Sequence, residues 1–176
     1  CGLFGVVMRP ASDAAIADAT PATDTTPNIQ STGLVTLTAK SGIGGSGLAD
    51  FDLLAGSLTA TNTVSGDIGI EDANGLNVVG TGVRTTAGNG NINLLVGAGA
   101  FNVNANITAD GSGTVTLTST TGAITQAAAT TISSSTGNIS LSAASVTQNG
   151  AIATGSAATV GVTATAGAIT MGDGAT

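Results

Sequence analysis

The chain has no histidine, tryptophan or tyrosine, and its only aromatic residues are Phe4, Phe51 and Phe101. An ordinary globular core of this size draws on several large aromatic side chains. Burial here must come from Ile, Val, Leu and Ala, in a core that is narrow and regular. Without histidine there is no Ser/His or Cys/His nucleophile pair, and no His/Cys metal cluster. The one cysteine, Cys1, has no internal partner for a disulfide.

Charge is also scarce. Asp, Glu, Lys and Arg make up 7% of the residues, against about a quarter in average proteins. The cations are Arg9, Lys40 and Arg84, and the net charge is −7. Nucleic-acid binding needs clustered cations facing phosphates, so no nucleic-acid partner is expected. Anionic membranes are disfavoured for the same reason. No apolar run approaches the roughly 20 residues of a spanning helix, so no membrane span is expected. Ordinary disorder, which goes with low hydropathy and high charge, does not fit either.

What is abundant is glycine, at 27 residues, with Thr, Ser and Asn between short apolar runs. Gly113-Thr-Val-Thr-Leu-Thr118 alternates apolar and small polar residues, the period of a strand with one buried face. Gly137-Asn-Ile-Ser-Leu-Ser142 repeats the pattern. Ile68, Ile92, Val115, Ile139 and Val160 mark the same position at a nearly constant step. Phe101-Asn-Val-Asn-Ala-Asn-Ile-Thr108 is the cleanest alternation in the chain.

A near-constant step in the low twenties is a repeat signal, with two or three short strands per repeat. One such unit cannot bury its apolar face alone and must stack on its neighbours. The expectation is therefore all-β: a parallel β-helix, or β-solenoid, with coils of about 21–24 residues. Val115 should lie over Ile92 and Ile139 over Val115, with Ser140 outward. An antiparallel sandwich would show similar turn spacing. The self-similar repeat and the missing aromatics weigh against it.

Residues 1–27 differ from the rest and are assigned to an N-terminal cap, anchor or linker arm, with 28–176 as the solenoid. Ala11 to Ala19 has helix-compatible composition, with Ser12 as N-cap and Pro10 and Pro21 as brackets. Ser41 to Leu48 reads as a glycine-rich turn with too little side chain for a core.

Ser65-Gly-Asp-Ile-Gly-Ile70, Leu58-Thr-Ala-Thr-Asn-Thr63 and Gly113 to Thr125 resemble the repeats of filamentous-haemagglutinin-like, β-strand-repeat giant bacterial surface proteins. The resemblance covers about residues 33–176. It implies a right-handed parallel β-helix that is exported and displayed on, or shed from, a cell surface. It carries over no catalytic or binding residues. Cys1-Gly2 resembles the acylated mature start of bacterial lipoproteins, with an arbitrary fragment boundary as the plain alternative.

Candidate sites are few. Asp50, Asp52, Asp67, Glu71 and Asp72 lie close together in sequence and could gather around calcium. They lack the spacing of a hand loop or of the glycine-rich calcium repeat, and read more simply as solvated turn acids. Glycoside hydrolysis needs two carboxylates at fixed separation, and lyase chemistry several cations. Arg84 alone does not meet the second need, and no enzyme and no cofactor is expected. Thr-x-Thr runs at Thr36, Thr59, Thr114 and Thr163 suit exposed strand faces; ice binding is the sharper, less favoured reading. Asn106-Ile-Thr108 and Asn138-Ile-Ser140 match the glycosylation sequon but read as corner and strand residues.

The functional expectation is a non-catalytic structural unit of an extracellular or cell-surface rod or filament. Leu3, Phe4, Val6, Val7, Ile169 and Met171 are the candidate end-to-end interface. Partners would be copies of the chain or further coils of a longer one. An adhesive segment binding cell-surface or carbohydrate ligands is the alternative, with Gly42 to Leu54 as its candidate loop.

Overall fold

A computed structural model describes residues 26–45, 51–155 and 157–172, Ile16, and the backbone of Val6–Met8. Among the described residues every regular element is a strand. The chain forms the parallel β-solenoid expected from the repeat.

The strands are β1 (Val6–Met8), β2 (Ile29–Ala39), β3 (Phe51–Asn62), β4 (Ile68–Asp72), β5 (Leu76–Thr85), β6 (Ile92–Val96), β7 (Phe101–Val103) and β8 (Ile107–Ala109). They continue with β9 (Val115–Ser119), β10 (Ala123–Gln126), β11 (Thr131–Ser134), β12 (Ile139–Ala143), β13 (Ser145–Gln148), β14 (Ala151–Ala153), β15 (Val160–Ala164) and β16 (Ile169–Met171). All pairings are parallel, and each joins one coil to the next.

Three faces result. Face A stacks the first half of β3, then β4, β6, β9, β12 and β15. Face B runs from β1 through β2, β3, β5, β7, β10 and β13 to β16. Face C stacks the end of β5 with β8, β11 and β14. The long strands β2 and β3 each run through all three faces, and β5 serves faces B and C.

Alternation inside each strand sends every second residue inward. The inward residues then fall into columns along the axis, at a strand spacing of about 4.8 Å. On face A the column is Ile43, Ile68, Ile92, Val115, Ile139 and Val160. Beside it lie Phe51, Ile70, Leu94, Leu117, Leu141 and Val162. Face B contributes Leu76, Phe101, Ile124, Val146 and Ile169, and face C contributes Val83, Ile107, Ile132 and Ile152. Val115 pairs with both Ile92 and Ile139, and Ser140 is exposed, as the repeat predicts. β-branched side chains suit this arrangement because their stiff rotamers stack without large voids.

The corners are where the core becomes polar. Each bend interrupts the ladder and leaves backbone groups that need partners. At the C-to-A corner, buried Asn62 donates from Nδ2 to the carbonyls of Ser65 (2.7 Å) and Gly66 (2.6 Å). Thr85 donates to Gly90 O at 3.1 Å, and Ser134 to Gly113 O at 2.7 Å. Thr154 donates to Gly137 O at 2.6 Å. The accepting glycines, Gly66, Gly90, Gly113 and Gly137, form a column of their own. A Cβ at Gly113 would lie 2.1 Å from Gly90 O, and one at Gly137 2.1 Å from Gly113 O. Only glycine permits that approach of one coil to the next.

At the A-to-B corner the fully buried Asp72 carboxylate accepts from Ala55 N–H (2.8 Å), Asn74 N–H (3.0 Å) and Gly75 N–H (3.0 Å). At the B-to-C corner Gln126 donates to Thr130 O and Ala151 O, and Gln148 to Gly150 O. Outside the core, Asn and Asp side chains accept the backbone N–H of the next coil. Asp67 accepts from Asn91 (2.7 Å), Asn91 from Thr114 (2.9 Å), Asn106 from Thr131 (2.8 Å) and Asn138 from Thr159 (2.9 Å). The sequon asparagines are thus the corner residues that the sequence suggested.

Three local expectations change. Ile16, inside the stretch with helix-compatible composition, makes a parallel bridge to Ile43 and is buried. Ile43, inside the turn expected to lack a core, is fully buried and bridges Ile68 as well. Backbone pairing explains both: a lone isoleucine between small residues, alanines at Ile16 and glycines at Ile43, still occupies a rung when a neighbouring coil supplies a partner. The step from Ile43 to Ile68 is slightly wider than the expected range. β1 lies on β2, so residues 1–27 supply at least one strand to that end of the stack. Ser12 and the rest of Ala11 to Ala19 lie outside the described residues.

Candidate functional site

The acidic candidates are not brought together. Asp72 points inward and is fully consumed by three backbone N–H groups, which corrects its reading as a solvated turn acid. Alternation explains the reversal, because Asp72 shares the parity of the buried Ile68 and Ile70. Asp52, Asp67 and Glu71 are half-buried around face A. Asp67 caps the next coil through Asn91 N–H. Among the described residues no group of three or more His, Cys, Asp or Glu could hold a metal ion. Asp50 lies outside the described residues, as do Cys1, Leu3 and Phe4. Of Val6 and Val7 only the backbone is described.

The threonine pairs stack once in register. Thr36 and Thr38 on β2 sit beside Thr59 and Thr61 on β3. The row then breaks. Leu58 pairs with Val78 but Ala60 with Val83, so β5 carries extra residues that bulge outward. Thr59 turns to Thr81 (2.9 Å between hydroxyl oxygens) and to Gly82 O (2.8 Å). The Gly42 to Leu54 candidate loop is anchored by Ile43 and by Phe51 to Leu54 in β3; its central residues lie outside the described residues.

The clearest unsatisfied surface is the face of the last described coil. β14, β15 and β16 each pair on one side only among the described residues. Val160 and Ile169 are 45% exposed and Met171 55%, whereas their counterparts one coil earlier, Ile139, Val146 and Gln148, are buried. Ile152 and Val162 are partly buried in the same plane. This end therefore presents apolar side chains together with strand edges, both of which another β-coil would satisfy. Ile169 and Met171, two of the expected interface residues, lie on it.

Among the described residues no helix is long and apolar enough to cross a membrane, which says nothing of membrane β-barrels. No family model, curated protein or solved structure matches the chain.

Proposed function

We propose that the chain is a non-catalytic structural β-solenoid of a bacterial extracellular or cell-surface rod, associating end to end through its terminal coils. What supports this reading is the plane of Val160, Ile169 and Met171, which another coil, from a second copy or from further coils of a longer chain, would cover. β1 and β16 occupy opposite ends of the same stacked face. A second copy placed head to tail would set one against the other and continue the parallel ladder. Such a contact is heterologous and does not close, so it propagates as a fibre. The resemblance to β-strand-repeat surface proteins and the hydroxyl-rich, weakly charged exterior support the extracellular setting.

The test is the mass of the purified full chain by light scattering, with electron microscopy of the same samples. Wild type should grow in mass with concentration and form rods. The double variant Ile169→Lys/Met171→Lys should stay at monomer mass, because two desolvated cations in the contact oppose stacking. A wild-type chain that remains monomeric at high concentration and high salt overturns end-to-end assembly. It would favour the spacer or adhesive reading.

A further inference from the structure

We propose that face C is a binding track for a carboxylated glycan, lying along the solenoid axis with Arg84 holding a uronate carboxylate. The outward column of that face is Thr38, Thr61, Arg84, Thr108, Ser133 and Ala153, in register from coil to coil. At strand spacing it extends about 24 Å. Two recesses open on it. One, of about 570 Å³, is walled by the β5 bulge at Gly80 and Thr81 and floored by Thr36, Thr38, Thr59 and Thr61. Arg84 lies at its border. The other, of about 340 Å³, is lined by Thr108, Ser133, Ser135 and Thr154.

The chemistry of the track selects the ligand. Arg84 is exposed and its guanidinium makes no hydrogen bond or ion pair to any described residue. A free planar fork of donors suits a carboxylate. In a chain of net charge −7 this cation stands where, among the described residues, no acidic side chain lines either recess. Asp52, Asp67 and Glu71 are on or beside face A; Asp110 follows β8 at the corner. The other polar side chains on the described track are hydroxyls, each both donor and acceptor, while Leu34 and Ala153 supply apolar patches for the C–H faces of sugar rings.

Other polymers fit less well. A peptide adds to a sheet through a free strand edge, but β3, β5, β8 and β11 are paired on both sides. A nucleic acid needs several cations along its path, and among the described residues this track has one. A polymer with sparse carboxylates and many hydroxyls meets what is present. Binding on the side of the rod is independent of contacts at its end.

The experiment titrates the full chain at low salt with a hyaluronan oligosaccharide, which carries a uronate only on alternate sugars, and with neutral dextran and poly-glutamate. The hyaluronan oligosaccharide should bind, and Arg84→Gln should weaken it about ten-fold, the scale of one charged hydrogen bond. Arg84→Lys should recover part of the loss. Ile169→Lys should leave binding unchanged, separating the track from end-to-end assembly. Arg84 is exposed, so Arg84→Gln should retain the wild-type circular dichroism. No binding of the hyaluronan oligosaccharide by wild type, equal binding by Arg84→Gln, or equally tight binding of dextran or poly-glutamate would overturn the assignment.

Discussion

Ile139 and Val160 occupy successive rungs of one column, and their surroundings differ by a single missing neighbour. Ile139 has Val115 on one side and Val160 on the other, and is 1% exposed. Val160 has Ile139 on one side only, and is 45% exposed. The strand patterns around them are nearly the same: Ile-Ser-Leu-Ser-Ala against Val-Gly-Val-Thr-Ala. Burial in this molecule is therefore a property of the stack and not of the coil. The middle of the rod and its end differ in stability because one coil's apolar residues become core only when another coil covers them.

The sharpest way to break the comparison is to place the same charge on both rungs. Ile139→Asp buries a carboxylate with no partner in an apolar column and should cost about 4 kcal/mol or more. Urea unfolding of the variant would show the loss as a lower midpoint at unchanged slope. A second substitution asks whether the polar corners matter as much as the ladder. Asp72→Ala removes the acceptor shared by the N–H groups of Ala55, Asn74 and Gly75. The expected loss is about 2–4 kcal/mol, from donors left without a partner. A loss too small to measure in the same urea titration would mean that the corner relaxes and lets water in. The smallest effect should come from Val160→Asp. In the isolated chain it should change stability by about 0.5 kcal/mol or less, the usual range for an exposed site. A loss equal to that of Ile139→Asp would show that the end coil is covered in solution.

The ladder is legible in the sequence because its signal is local and redundant. Gly-x-apolar-x-apolar recurs at Ile92, Val115 and Ile139, and its alternation sets both the inward face and the register. The corners are not legible in the same way. Asp72 lies on the inward parity of β4, but a carboxylate argues against burial until the three N–H groups around it are in view. Ile43 is hidden because glycines on both sides mask a rung whose partners lie a full coil away. The β5 bulge is hidden too. Leu76 and Val78 point inward at even positions and Val83 and Thr85 at odd ones; Gly80 and Gly82, both at positive φ, mark an irregular strand, but the number of extra residues, which sets the parity, is not written in them. That shift places Arg84 outward on face C, so the binding track could not be read from a lone arginine in the sequence.

The uniform step between rungs also governs how such a molecule can fold. In most folds, contacts with long sequence separation carry a chain-closure cost that grows with distance along the chain. Here each strand finds its partner one coil away, at nearly the same step all along the column from Ile43 to Val160. Closing the next turn therefore costs the same at either end of the rod. Once a first pair of coils has formed, its edge templates the third, and growth proceeds by addition with no step harder than the one before it. The number of coils can change without altering the kinetic difficulty of making any one of them.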